Sequence, residues 1–177
     1  MPTATSSQTI GPYWHLLRDD RWSDLTRFGA TGDIITLNGR ITDGDGSLVT
    51  DACVEIWQPS PPVSESFDGF GRAATDARGI FSFRTLRPGP IPGVHGPRGN
   101  TMQAPHVALT ILARGLMKAL VTRIYFEGDA GQDEDPVLGM IDDPVRRATL
   151  VARETEPAVW HLDIVLQGER ETVFFEI

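Results

Sequence analysis

The apolar residues of this chain fall in seven short runs, each closed by a turn rich in Gly, Pro or charged residues. Within the runs the spacing is two. Ile35, Leu37 and Ile41 share a parity in DIITLNGRIT. Ala52, Val54 and Ile56 oppose Cys53, Glu55 and Trp57 in ACVEIWQ. Phe81 and Phe83 share a side in GIFSFRT. A period of two places alternate side chains on one face of a strand. HVALTILAR, ALVTRIYF, VWHLDIVLQ and ETVFFEI complete the set, with no strand–helix–strand rhythm between them. The pattern predicts an all-β, single-domain antiparallel β-sandwich whose core lies between two sheets.

Finer expectations follow from the turns. DGDGS at 43–47 is a tight-turn sequence and predicts a hairpin between the first two runs. Residues 59–71 read as a loop. Residues 1–30 read as an irregular N-terminal arm of the same domain, with a helical turn around Arg21 to Phe28, and 31–177 as the sandwich. DPVLGMIDDPVRRATLVA predicts short helical turns, with Pro136 and Pro144 near first-turn positions.

With 177 residues, 40% hydrophobic and 23% charged, the chain can bury one ordinary globular core. Its net charge of −8 argues against a broad surface for nucleic acid or anionic membrane, though a local basic pocket for a small acid is compatible with it. The single cysteine, Cys53, allows no disulfide within the chain. MPTATSSQTIGPYW lacks the basic-then-apolar order of a secretion signal, and no apolar run approaches the roughly 18 residues of a membrane span. The expectation is a cytoplasmic protein with no nucleic-acid or membrane partner.

Few residues announce chemistry. DGDGS is no calcium loop, because the twelfth position counted from Asp43 is Val54. Cys53 has strand neighbours and no Cys–His motif, so it reads as inert core. There is no G-x-S-x-G elbow. The histidines are His15, His95, His106 and His161, and none forms an H-x-H, H-E-x-x-H or H-x3-H pair. A strand-borne metal site usually takes ligands two residues apart, but His106 is followed at that spacing by Ala108. A lone histidine at a strand start reads as a hydrogen-bonded structural residue. Arg114 by itself reads as a solvated turn residue. Eight strand residues would put it about 26 Å from His106, so anything it binds belongs to a different site.

Taken in order, these stretches resemble the intradiol ring-cleavage dioxygenases. SQTIGPY, ITDGDGSLVTDACVEIWQ, GRAATDARGIFSFRTLRPGPIP, APHVALTILARG, TRIYFEGD and QGERETVFFEI carry the resemblance nearly end to end, and residues 59–70 match least. In that family the catalytic chain holds ferric ion with two tyrosines and two histidines. The resemblance puts one tyrosine position at Ile91 and the histidine pair at His106 and Ala108. The second tyrosine would fall within 59–70, which contains none. Three of the four ligand positions are therefore lost. Hard anionic phenolates suit Fe(III), and one neutral imidazole neither holds nor selects it.

The resemblance thus implies an alpha-type chain with no metal ligand and no catalytic residue of its own. Fe(III) would be held by a homologous beta subunit, in alpha–beta heterodimers of a larger assembly. The implied reaction is O2-dependent cleavage of protocatechuate to 3-carboxy-cis,cis-muconate at the interface between the two chains. The residues implied to border the substrate are Thr9, Gly11, Pro12, Tyr13 and Arg114, the arginine favouring an anionic substrate. Two other readings stay open: a β-sandwich binding or scaffold module that has lost this chemistry, and an independent iron enzyme with unrecognised ligands.

Overall fold

The structure is a computed structural model describing residues 10–11, 13–93 and 102–176. Among the described residues ten strands and one short helix follow in order. They are β1 (Ile34–Thr42), β2 (Cys53–Trp57), β3 (Phe70–Ala74), β4 (Ile80–Leu86), β5 (Ile91–Pro92), β6 (Met102–Gln103), β7 (His106–Leu112), β8 (Leu120–Phe126), α1 (Pro144–Ala148), β9 (Val151–Glu156) and β10 (Val159–Val165). Single turns of 3-10 helix form at Trp14–Leu17, Asp20–Ser23 and Leu138–Met140. Pro144 occupies the first turn of α1 behind the Asp143 cap, whose carboxylate accepts from Val145 N at 2.8 Å.

Eight strands make one continuous sheet in the order β3-β2-β7-β8-β9-β10-β1-β4, and β5 and β6 form a separate ribbon. The sheet folds over on itself into two layers. Val151 and Ala152 of β9 pair with β8, whereas Arg153, Glu154 and Glu156 pair with β10, so β9 belongs to both layers. At the far end the edge strands β3 and β4 come back into contact, and the turn Asp20–Ser23 touches both. One apolar cluster fills the space between, drawing Val54, Ile56, Leu109 and Ile124 from one layer and Leu37, Phe83, Leu162 and Ile164 from the other. Phe126 of β8 meets Trp160 of β10 edge to face, centroids 5.2 Å apart, and the Arg87 guanidinium lies over both rings.

The alternation read in the sequence is the burial seen in the fold. Ile35, Leu37 and Ile41 face the core, as do Ala52, Val54 and Ile56, and Phe81 and Phe83. Gly39 occupies the one core-facing position of β1 without a side chain because Phe81, its register partner on β4, lies across it. Cys53 is buried, and that burial, with the nearby Glu55 charge, pushes its thiol up to about 11.

Pairing differs from the expectation in several places. The runs at 34–42 and 53–57 are not a hairpin. β1 lies between β10 and β4, and β2 lies between β3 and β7 in the other layer. The DGDGS turn does form, with Asp43 N donating to Ser47 O at 2.8 Å, but it returns the chain only as far as the Thr42–Leu48 bridge before crossing between layers. Most pairings are antiparallel, whereas β1–β10 and β8–β9 are parallel. ETVFFEI forms one isolated bridge, Val121 to Phe175, instead of a strand. The expected loop at 59–71 ends in the start of β3, and the segment read only as helical turns ends in the start of β9.

Candidate functional site

Two places bear on chemistry, and β7 connects them. His106 opens this strand, and Arg114 stands two residues beyond its last residue, Leu112. They sit at opposite ends, as the rise per residue requires.

At the His106 end, register puts Tyr125 opposite His106 and Arg123 opposite Ala108. Directly opposed residues share a face of the sheet. Next to them Ile91 of β5 is paired with Gln103 of β6. The three degenerate ligand positions therefore border one polar cluster. Arg123 Nη1 donates to Gln103 Oε1 at 2.6 Å and to the Tyr125 hydroxyl at 3.3 Å. That hydroxyl donates to Asp135 Oδ1 at 3.2 Å. Asp135 is fully buried, and its carboxylate also accepts from the backbone N–H groups of Ala104, Val137 and Leu138 at 2.8, 2.8 and 3.0 Å. His106 Nδ1 donates to Ala104 O at 2.8 Å, which fixes its tautomer.

This donor set does not suit a ferric ion. The cluster already contains a cation of its own, the Arg123 guanidinium. Burial, with the neighbouring Asp135 charge, pushes the Tyr125 phenol well above its ordinary range and keeps it protonated. Burial also holds the His106 imidazole below its usual value, with the Arg123 charge acting the same way. Among the described residues no three His, Cys, Asp or Glu side chains converge as a metal site would require. Each of these five side chains has a hydrogen-bond partner within the protein, so the scaffold around His106 is held by hydrogen bonds.

At the other end, the Arg114 guanidinium pairs through Nε with Asp51 Oδ2. The main-chain carbonyl of Asp51 accepts from the Trp14 indole at 3.2 Å. Trp14, His15 and Arg18 line a cavity of about 320 Å³ together with Thr75, Asp51 and Arg114. Tyr13, the residue before Trp14, is 71% exposed. Gly11 is also exposed, and its carbonyl accepts from Trp14 N at 3.3 Å. The arm and the arginine, separated by about a hundred residues of sequence, thus lie side by side. Thr9, Pro12 and His95 lie outside the described residues.

Sequence reasoning passed over Trp14, Asp51, Gln103, Arg123 and Asp135. A signal existed for two of them. Arg123 and Tyr125 place polar groups at alternate positions of an otherwise apolar strand. Asp135 precedes Pro136 and a helical turn, a favoured setting for a capping carboxylate.

Fold and sequence together define a class. The Dioxygenase family model matches residues 19–168, and the chain belongs to this family, the intradiol dioxygenases. Among its relatives, the protocatechuate 3,4-dioxygenase alpha chain of Pseudomonas putida is 36% identical over 97% of this chain and 96% of that one. The protocatechuate 3,4-dioxygenase beta chain of Burkholderia cepacia is 30% identical over 80% of this chain and 67% of that one. The dioxygenase domain of a dioxygenase–carbohydrate-binding fusion from Streptomyces sp. SirexAA-E superimposes with a TM-score of 0.59 over 85% of this chain and 88% of that one, at 22% identity, a likeness of fold. The family implies non-haem iron chemistry, and the relatives include both alpha and beta chains. Among the described residues no helix is long and apolar enough to cross a membrane.

Proposed function

We propose that this chain is the alpha-type, site-completing subunit of a cytoplasmic protocatechuate 3,4-dioxygenase, paired with a homologous beta-type chain that holds Fe(III). The single observation that carries the reading is the Arg123 cluster. Where the ligand positions converge, a guanidinium is bound to Gln103 and Tyr125. The likeness to an alpha chain over nearly the full length of both supports it.

In this reading the assembly inserts both atoms of O2 between the two hydroxylated carbons of protocatechuate, giving 3-carboxy-cis,cis-muconate. The iron on the partner chain supplies the ring-opening chemistry. This chain supplies part of the wall of the substrate pocket and a fixed positive charge. The arm residues Thr9, Gly11, Pro12 and Tyr13 border the substrate, and Arg114 faces its carboxylate with charge-assisted hydrogen bonds.

Expression of the chain alone and together with its homologous beta-type partner tests the assignment. Alone, the protein should be colourless, free of stoichiometric iron and inactive. Together, the two chains should co-purify in equal amounts, with the visible colour of ferric tyrosinate and ring-cleaving activity. Arg114→Ala in the two-chain enzyme should lower turnover of protocatechuate while iron content stays the same. Stoichiometric ferric ion and catechol cleavage in the solitary chain would overturn the reading, and so would full activity in Arg114→Ala.

A further inference from the structure

We infer that Asp51 positions Arg114 and the N-terminal arm as one unit, so that the guanidinium meets the carboxylate of an aromatic acid in a fixed pose. This rests on the proposed role of Arg114 and names the residue that makes the role possible.

β2 and β7 are antiparallel neighbours with Cys53 opposite Leu112. Asp51 stands two residues before Cys53 and Arg114 two residues after Leu112, and their side chains meet beyond that last pair. The ends of two hydrogen-bonded strands therefore bring the pair together, with Asp51 in a bend just before β2 and Arg114 in a turn just after β7. Asp51 then accepts through two different groups. Its carboxylate takes Arg114 Nε, and its main-chain carbonyl takes the Trp14 indole N–H. Arm and arginine, the two elements expected to reach a partner's substrate, are fastened to the same residue.

The chemistry of the contact points to orientation and not to stability. The side chains are 68% and 37% exposed, and ion pairs so open to water contribute little to folding. Asp51 engages Nε, the inner donor of the guanidinium. The two outer nitrogens form the planar fork that matches a second carboxylate. Among the described residues the cavity beside the pair is lined by Arg114, His15 and Arg18, the last paired with Asp20 at its rim, and the one carboxylate in the lining itself is Asp51, already committed to Arg114. Such a lining suits an anionic aromatic, and the anchored guanidinium loses less freedom on binding it.

Steady-state kinetics of the assembled two-chain enzyme test this. Asp51→Asn should raise KM for protocatechuate about tenfold, the size of one misaligned charged hydrogen bond, with kcat within about twofold. KM for a catechol lacking the carboxylate should not change. Asp51→Glu, which keeps the charge, should recover most of the loss, and Trp14→Phe should reproduce part of it. In an Arg114→Ala background, Asp51→Asn should add nothing further. If Arg114→Ala is impaired while Asp51→Asn matches wild type, or if the two effects multiply independently, the inference fails and the role of Arg114 stands. If Arg114→Ala is itself unimpaired, the proposed function fails first.

Discussion

The hydroxyl of Tyr125 meets the carboxylate of Asp135 at 3.2 Å in an interior where both residues are essentially sealed from water. This bond fastens β8 to the loop that follows it. The same carboxylate gathers the N–H groups of Ala104, Val137 and Leu138. Asp135→Ala strands three backbone donors and a phenol, so it should cost about 3–5 kcal/mol in equilibrium urea unfolding. Asp135→Asn keeps one acceptor oxygen and should cost about 1–3 kcal/mol. A loss below about 1 kcal/mol in the alanine variant would mean that the carboxylate does not organise this segment.

The same cluster sets a pH dependence with a defined sign. Burial depresses the His106 pKa in the folded chain, so the unfolded chain takes up its proton first. Stability from this group is complete above about 6.5, the ordinary imidazole value, and falls as pH drops from there through the folded pKa. Tyr125 behaves oppositely. Its folded pKa is raised, so the unfolded chain ionises first, and stability falls as pH rises above about 10. Unfolding midpoints measured across pH should lose part of their acid slope in His106→Gln and part of their alkaline slope in Tyr125→Phe. Unchanged slopes would remove these two groups from the account.

Gly39 and Phe81 offer a test of core packing. A methyl group at position 39 would collide with the Phe81 ring and approach Leu162 O. Gly39→Ala should therefore destabilise the chain by about 1–3 kcal/mol through overpacking. The double variant Gly39→Ala with Phe81→Leu should lose less than the sum of the single losses, because the smaller side chain makes room. Additive losses in chemical denaturation would show that the ring is not what excludes the methyl.

How far the sequence could be read depended on which physical rule was being used. Period-two alternation identified the core faces of β1, β2 and β4, because side-chain direction is local to a strand. It could not identify partners. DGDGS has the residues of a hairpin turn and makes one, yet Ile41 and Val54 end in different layers, because pairing is decided by the packing of the whole sheet. β9 was hidden because VARETE carries few apolar residues and is largely exposed beyond Ala152. The lost ligand positions at Ile91, His106 and Ala108 were legible from the resemblance. Their replacement by an arginine was not, since Arg123 lies fifteen residues past Ala108 and reaches it only through the β7–β8 register. Arg114 was singled out in the sequence, but Asp51, which holds it, sits at a strand entrance with no motif to mark it.

β9 has one more consequence. Because it is stitched to β8 by its first residues and to β10 by its later ones, opening either layer breaks pairing that the other shares. The protein should melt as a single cooperative body, in one transition seen identically by every probe. Two layers shared by one strand in this way should meet another polypeptide as preformed surfaces.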